Sequence, residues 1–221
     1  MVTKYYILYV NLLVIYFFFL SFFHLTIPLM DVNIEHLSSL IKHNYVQNWD
    51  SLISEDLQSI EFHMRTEPLN IPKRIESILL SLFSANDGKT NPNVSYLIGV
   101  CLSHYYNVHN NSFWQFSSTI LKEIKNSYCL PAIIALGVVT SKINDVGYKS
   151  QLPFLIQILL KCNQKEKLPY ICQCFRRVFK RVGEYLSNLI VDVYPFLLRG
   201  ISSTSPKLQK QSIIFLPLLL Q

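Results

Sequence analysis

Six histidines and five cysteines are the residues of this 221-residue chain best suited to metal or nucleophilic chemistry. The histidines fall at His24, His36, His43, His63, His104 and His109. None makes a His-x-x-x-His pair or stands at ligand spacing from a cysteine or carboxylate. Cys172 and Cys174 are two residues apart on a predicted helix, so they point to nearly opposite sides and cannot share a metal. Cys101, Cys129 and Cys162 sit in apolar helical runs, where a free cysteine behaves as a small core residue. An odd, scattered count suits a reducing compartment better than a disulfide framework. There is no Gly-x-Ser-x-Gly elbow and no glycine-rich phosphate loop, and no two carboxylates share an obvious helix face within the repeated part of the chain. No catalytic residue, metal ligand or cofactor site is therefore expected, and the chain reads as a non-enzyme.

Charge is more informative. The net charge is +6, although only 15% of residues are charged and half are apolar. Lys161, Lys165, Lys167, Arg176, Arg177, Lys180 and Arg181 are close together, with only Glu166 among them to oppose them. Arg176, Arg177, Lys180 and Arg181 adjoin on a helix at spacings of one, three and four, forming one basic strip. A solvated helix face is the commoner meaning of such a strip. The functional reading is a docking strip for acidic protein segments or anionic lipid head groups. Nucleic acid is a weaker reading, because no recognition module accompanies the charge. Val178, Phe179 and Val182 are the apolar positions of the same helix and should pack it inward, leaving the four charges free to face a groove.

The elements that carry this strip repeat. Pro92 to Leu102, Leu130 to Gly137, Leu168 to Phe175 and Pro206 to Leu216 resemble one another, each with a proline near the start of an apolar helix. Val94, Leu130, Leu168 and Leu208 set intervals of 36, 38 and 40 residues. A period of this length predicts an all-α fold, an α-solenoid of antiparallel helix pairs in which no pair buries its apolar face alone. The repeats occupy 70–221, after an N-terminal helix pair over 30–69. Asp31 and Asp50 are candidate N-caps for that pair, and Glu67-Pro68-Leu69-Asn70 breaks the chain after it.

Within the repeats, Ile75 to Phe83 forms an opening helix, and Asn91 caps the next with Pro92 in its first position. Further helices are expected over Phe113 to Ile124, Ala132 to Ile143, Leu152 to Leu160 and Tyr170 to Val182, with a last pair from near Ser187. Pro153 and Pro195 either bend their helices or start them. The sequence stops within an apolar helix, which reads as truncation of a longer array or as an edge covered by a partner.

Residues 1–29 differ. From Tyr5 to Met30 there is no charged residue, a length sufficient to cross a bilayer as a helix. By charge bias such an anchor would put the repeats in the lumen of a single-pass protein. The competing reading is translated non-coding sequence upstream of a start at Met30, since the residues are largely those of A- and T-rich codons. The second reading is favoured, because a lumenal helical array with five unpaired cysteines would be unusual.

Ala132-Ile133-Ile134-Ala135-Leu136-Gly137 resembles the small-x-x-Ala-Leu-Gly signature of HEAT repeats, as do Tyr194 to Leu198 and Ser205 to Leu216. More narrowly, Tyr128 to Ala132 and Asp192-Val193-Tyr194, in order after the Pro92 to Tyr105 and Phe113 to Phe116 patterns, resemble the N-terminal part of the HEAT repeat-containing protein five family. The fungal member is a large accessory protein of a clathrin adaptor. The resemblance implies a cytoplasmic scaffold, peripheral on endosome and Golgi membranes, that binds clathrin-adaptor subunits in vesicle-mediated transport. A nuclear transport or chromatin HEAT protein is the weaker alternative.

Overall fold

Proline placement marks where the helices begin. In a computed structural model that describes residues 30–43, 48–85, 91–109, 113–144 and 147–220, the described chain is helical with no strand. Helices α1 (30–42), α2 (Trp49–Thr66) and α3 (Ile75–Ser81) come first. They are followed by α4 (Pro92–Val108), α5 (Phe113–Ser127), α6 (Leu130–Lys142) and α7 (Leu152–Leu160). Then come α8 (Leu168–Val182), α9 (Ile190–Ile201) and α10 (Pro206–Leu219). Helices α4, α6, α8 and α10 start at positions 92, 130, 168 and 206, a constant step of 38 residues. Each has proline in its first or second position, where no helical hydrogen bond is lost and the fixed φ suits the helix. The unequal intervals read from sequence are thereby corrected. Val94 and Leu208 are third in their helices, whereas Leu130 and Leu168 are first.

Asn91 caps α4 as expected, its Oδ1 accepting from Asn93 N at 2.8 Å. Neither acidic cap forms. Helix α1 already includes residue 30, so Asp31 lies inside it, and its carboxylate pairs with Arg74 at 2.7 Å. Arg74 also holds Glu35 at 2.7 Å, tying α1 to the start of α3. The N-cap of α2 is Asn48 in the left-handed region at φ 64°, and Asp50 sits in the first turn, still near the positive helix end. Pro153 is second in α7 and costs little there, while Pro195 is inside α9. Helix α3 stops at Ser81, and Leu82 and Phe83 are buried in the turn that follows.

The even-numbered helices pack in series, α2 on α4, α4 on α6, α6 on α8 and α8 on α10. The odd-numbered ones lie against them, α3 on α4, α5 on α6 and α9 on α10, and α7 touches both α5 and α9. One continuous apolar core runs from Met30 to Leu219. Helix α6 is the most enclosed, with every residue from Pro131 to Thr140 buried. Its sequence is apolar all round rather than striped, the pattern of a helix with neighbours on every side.

Small residues line the seams between these helices. A methyl group on Gly99 would stand 2.8 Å from Val138 Cβ, and one on Gly137 would stand 2.9 Å from Cys174 Cα. On the far side of α8, Cys172 Sγ lies 3.7 Å from Ser212 Oγ of α10. Cys172 and Cys174 thus face opposite ways, as their spacing requires, and both are buried because α8 has a helix on each flank.

All five cysteines are free and buried. Burial pushes the Cys172 thiol up to about 11 and the Cys174 thiol up to about 12, and raises Cys101 further. Reactivity follows the thiolate, and each added unit of pKa removes tenfold of it. Cys101, Cys172 and Cys174 should therefore be alkylated by N-ethylmaleimide at least on the order of a hundredfold more slowly in native protein than in urea. Equal rates in the two conditions would contradict this packing. No helix among the described residues is long and apolar enough to cross a membrane, and the apolar segment 1–29 lies outside them.

Candidate functional site: a basic groove on α8

Helix α8 is strongly two-sided. Ile171, Phe175, Val178, Phe179 and Val182 are buried, so Val178, Phe179 and Val182 do pack the helix inward. The opposite side brings Arg176, Arg177, Lys180 and Arg181 together along an open groove of about 780 Å³. Ser141 of α6 forms one wall, and Ile214, Pro217 and Leu218 of α10 form an apolar wall opposite. All four cations singled out in the sequence line this one surface.

They are not equivalent. Lys180 and Arg181 are exposed, in the last turn of α8, where cations offset the negative helix end. Arg176 and Arg177 are half-buried. The Arg177 guanidinium reaches from α8 to α4 and lies 5.2 Å from the centre of the Tyr96 ring. The expectation that all four charges stand free is corrected for Arg177: part of its charge faces an aromatic ring instead of water. Loss of water pushes its pKa below the usual arginine value, and the neighbouring Arg176 charge acts in the same direction. Among the described residues, no carboxylate lies within ion-pairing distance of any of the four. Arg74, fully served by two acids, shows what a structural arginine of this chain looks like.

Other polar groups meet across helices. His36 Nδ1 lies 2.9 Å from Asp56 Oδ2, and His104 Nε2 lies 3.4 Å from Glu61 Oε1. His104 of α4 is thus paired with α2. The Tyr106 hydroxyl donates to buried Glu76 Oε1 at 2.8 Å. These pairs escape a linear reading because their partners come from different helices. One signal was present: Asp56 falls among Ile53, Leu57 and Ile60, a charge on an otherwise apolar stripe. None of these pairs extends to a group of three His, Cys, Asp or Glu able to hold a metal among the described residues. Compared with protein-family descriptions, curated proteins and solved structures, the chain matches none.

Proposed function

We propose that the chain is a non-enzymatic α-solenoid scaffold of HEAT-like helix pairs that binds the acidic segment of a protein partner in the α8 groove. The observation that carries this reading is Arg177. A half-buried cation beside three others, with no carboxylate of the described residues within ion-pairing distance, leaves electrostatic free energy that an incoming anionic chain recovers. The apolar wall of Ile214, Pro217 and Leu218 suits a segment in which acidic residues alternate with apolar ones. The constant 38-residue step and the serial packing of the even helices support a repeat array. The likeness of Ala132 to Gly137 to HEAT signatures supports the HEAT reading, and the narrower likeness of Tyr128 to Ala132 and Asp192-Val193-Tyr194 to the HEAT repeat-containing protein five family supports the assignment to clathrin-adaptor machinery in endosome-to-Golgi transport, with the protein peripheral on those membranes.

Lys180 and Arg181 are the residues to reverse, because both are exposed and neither makes the contact with Tyr96. In Lys180→Glu/Arg181→Glu, affinity for a glutamate-rich peptide should fall at least tenfold at low salt. The deficit should narrow at high salt, where screening weakens the wild-type interaction. Thermal unfolding should stay nearly unchanged. Equal affinities of wild type and variant at low salt would reduce the strip to a solvated helix face. Failure of adaptor subunits to co-purify with the wild-type chain would remove the transport assignment while leaving the groove.

A further inference from the structure

A second concave site lies at the other end of α8 and α10, where both helices begin. It opens between the α7–α8 turn and the α9–α10 turn, with a volume of about 500 Å³. Lys161 and Lys165 line it from the first turn, and Arg199 from the last turn of α9. Asn163, Ser203 and Thr204 add neutral hydrogen-bonding groups. Among the described residues, no Asp or Glu lines the pocket and none of the three cations is ion-paired. Three like charges around one hollow repel one another unless an anion enters. The first turns of α8 and α10 add the partial positive charge of two helix ends. Buried Phe196 and Leu208 supply an apolar surface in the same space. The volume falls within the range of roughly 300–1,000 Å³ typical of small-molecule sites, and exceeds what a bare oxyanion needs.

We propose that this pocket binds a small phosphate ester. Lys161, Lys165 and Arg199 hold the phosphate, Arg199 through the two-pronged geometry that a guanidinium offers to phosphate oxygens. Phe196 and Leu208 contact the organic body. A soluble ester and the head group of a phosphorylated lipid share this chemistry. The site is separate from the α8 groove, and its occupancy does not depend on an acidic partner there.

The full chain would be titrated calorimetrically with inositol 1,4,5-trisphosphate. Saturable binding is expected. Lys165→Ala/Arg199→Ala should weaken binding at least tenfold at an unchanged unfolding midpoint. Lys180→Ala/Arg181→Ala, which removes the same charge from the groove, should leave it intact. Absence of saturable binding, or equal weakening by the two double variants, would overturn the site. Vesicles carrying phosphatidylinositol 4,5-bisphosphate, set against phosphatidylserine vesicles of equal charge, distinguish the sources. Preference for the former, competed by the soluble ester, identifies a lipid head group. Ester binding without vesicle preference identifies a soluble ligand.

Discussion

Replacing Gly137 with valine should cost about 3 kcal/mol of folding stability, the upper end of what overpacking a tight core produces. Even the first added carbon would stand 2.9 Å from Cys174 Cα and 3.3 Å from Cys174 Cβ. These are backbone and near-backbone atoms, so no side-chain rotation makes room. Helices α6 and α8 would have to separate along their shared seam, and α6 has no exposed side toward which to shift. Gly183 provides the control. It is in the αR region at φ −55°, and an added methyl would meet only Phe179 Cδ1 at 3.9 Å. Gly183→Ala should therefore be neutral or stabilising by about 0.4–1 kcal/mol, through the entropy of the unfolded chain. Denaturant midpoints of the two variants test the packing directly. A Gly137→Val protein as stable as wild type would mean that the seam is not as close as described.

Glu76→Gln should stabilise the protein at neutral pH, and the gain should fade as the solution is acidified. Burial is the main influence on Glu76 and raises its pKa above the ordinary value of 4.5. Hydrogen bonds from Tyr106 and Tyr105 and the proximity of His109 pull the other way without cancelling it. In the unfolded chain the carboxyl ionises near its ordinary value, so over the interval above that value the native state binds more protons. The contribution of Glu76 to stability is then complete below the unfolded pKa and is lost as pH rises through the raised native one. Glutamine keeps an oxygen for the Tyr106 hydroxyl and has no charge to bury. Asp56 has the same sign, because burial outweighs the attraction of His36, and it adds to the slope. Tyr106→Phe should do the reverse of Glu76→Gln, leaving a buried carboxylate short of a donor at a cost of about 1–3 kcal/mol. Unfolding midpoints of the three proteins at pH 7 and pH 4 suffice. A glutamine variant that is less stable at pH 7, or a difference that grows on acidification, would contradict this account.

Legibility in the sequence followed the range of the interaction. Asn91 and Pro92 signalled a helix start through contacts within a few residues, and that start is where it was expected. The two-residue spacing of Cys172 and Cys174 correctly placed them on opposite sides of a helix, which is local geometry. The basic strip was legible for the same reason. Reach across helices was not. Arg177 looked free until α4 brought Tyr96 beneath it, and Asp31 looked like a cap until Arg74 arrived from beyond the next helix. The uneven intervals arose from matching an apolar residue rather than the helix start, because Val94 is third and Leu130 first in the opening turns of their helices.

The enclosure of α6 also bears on how this chain opens. An amide in α6 exchanges its hydrogen only when the helix loses its bonds, and it cannot do so while α4 and α8 remain docked against it. Loosening that starts at either end of the described chain must travel inward through several helices before it reaches residues 131–140. Those amides therefore report the free energy of undoing the whole assembly, whereas the outer helices exchange through smaller, local openings. The ten-residue run 131–140 is thus the part of the described chain expected to exchange last.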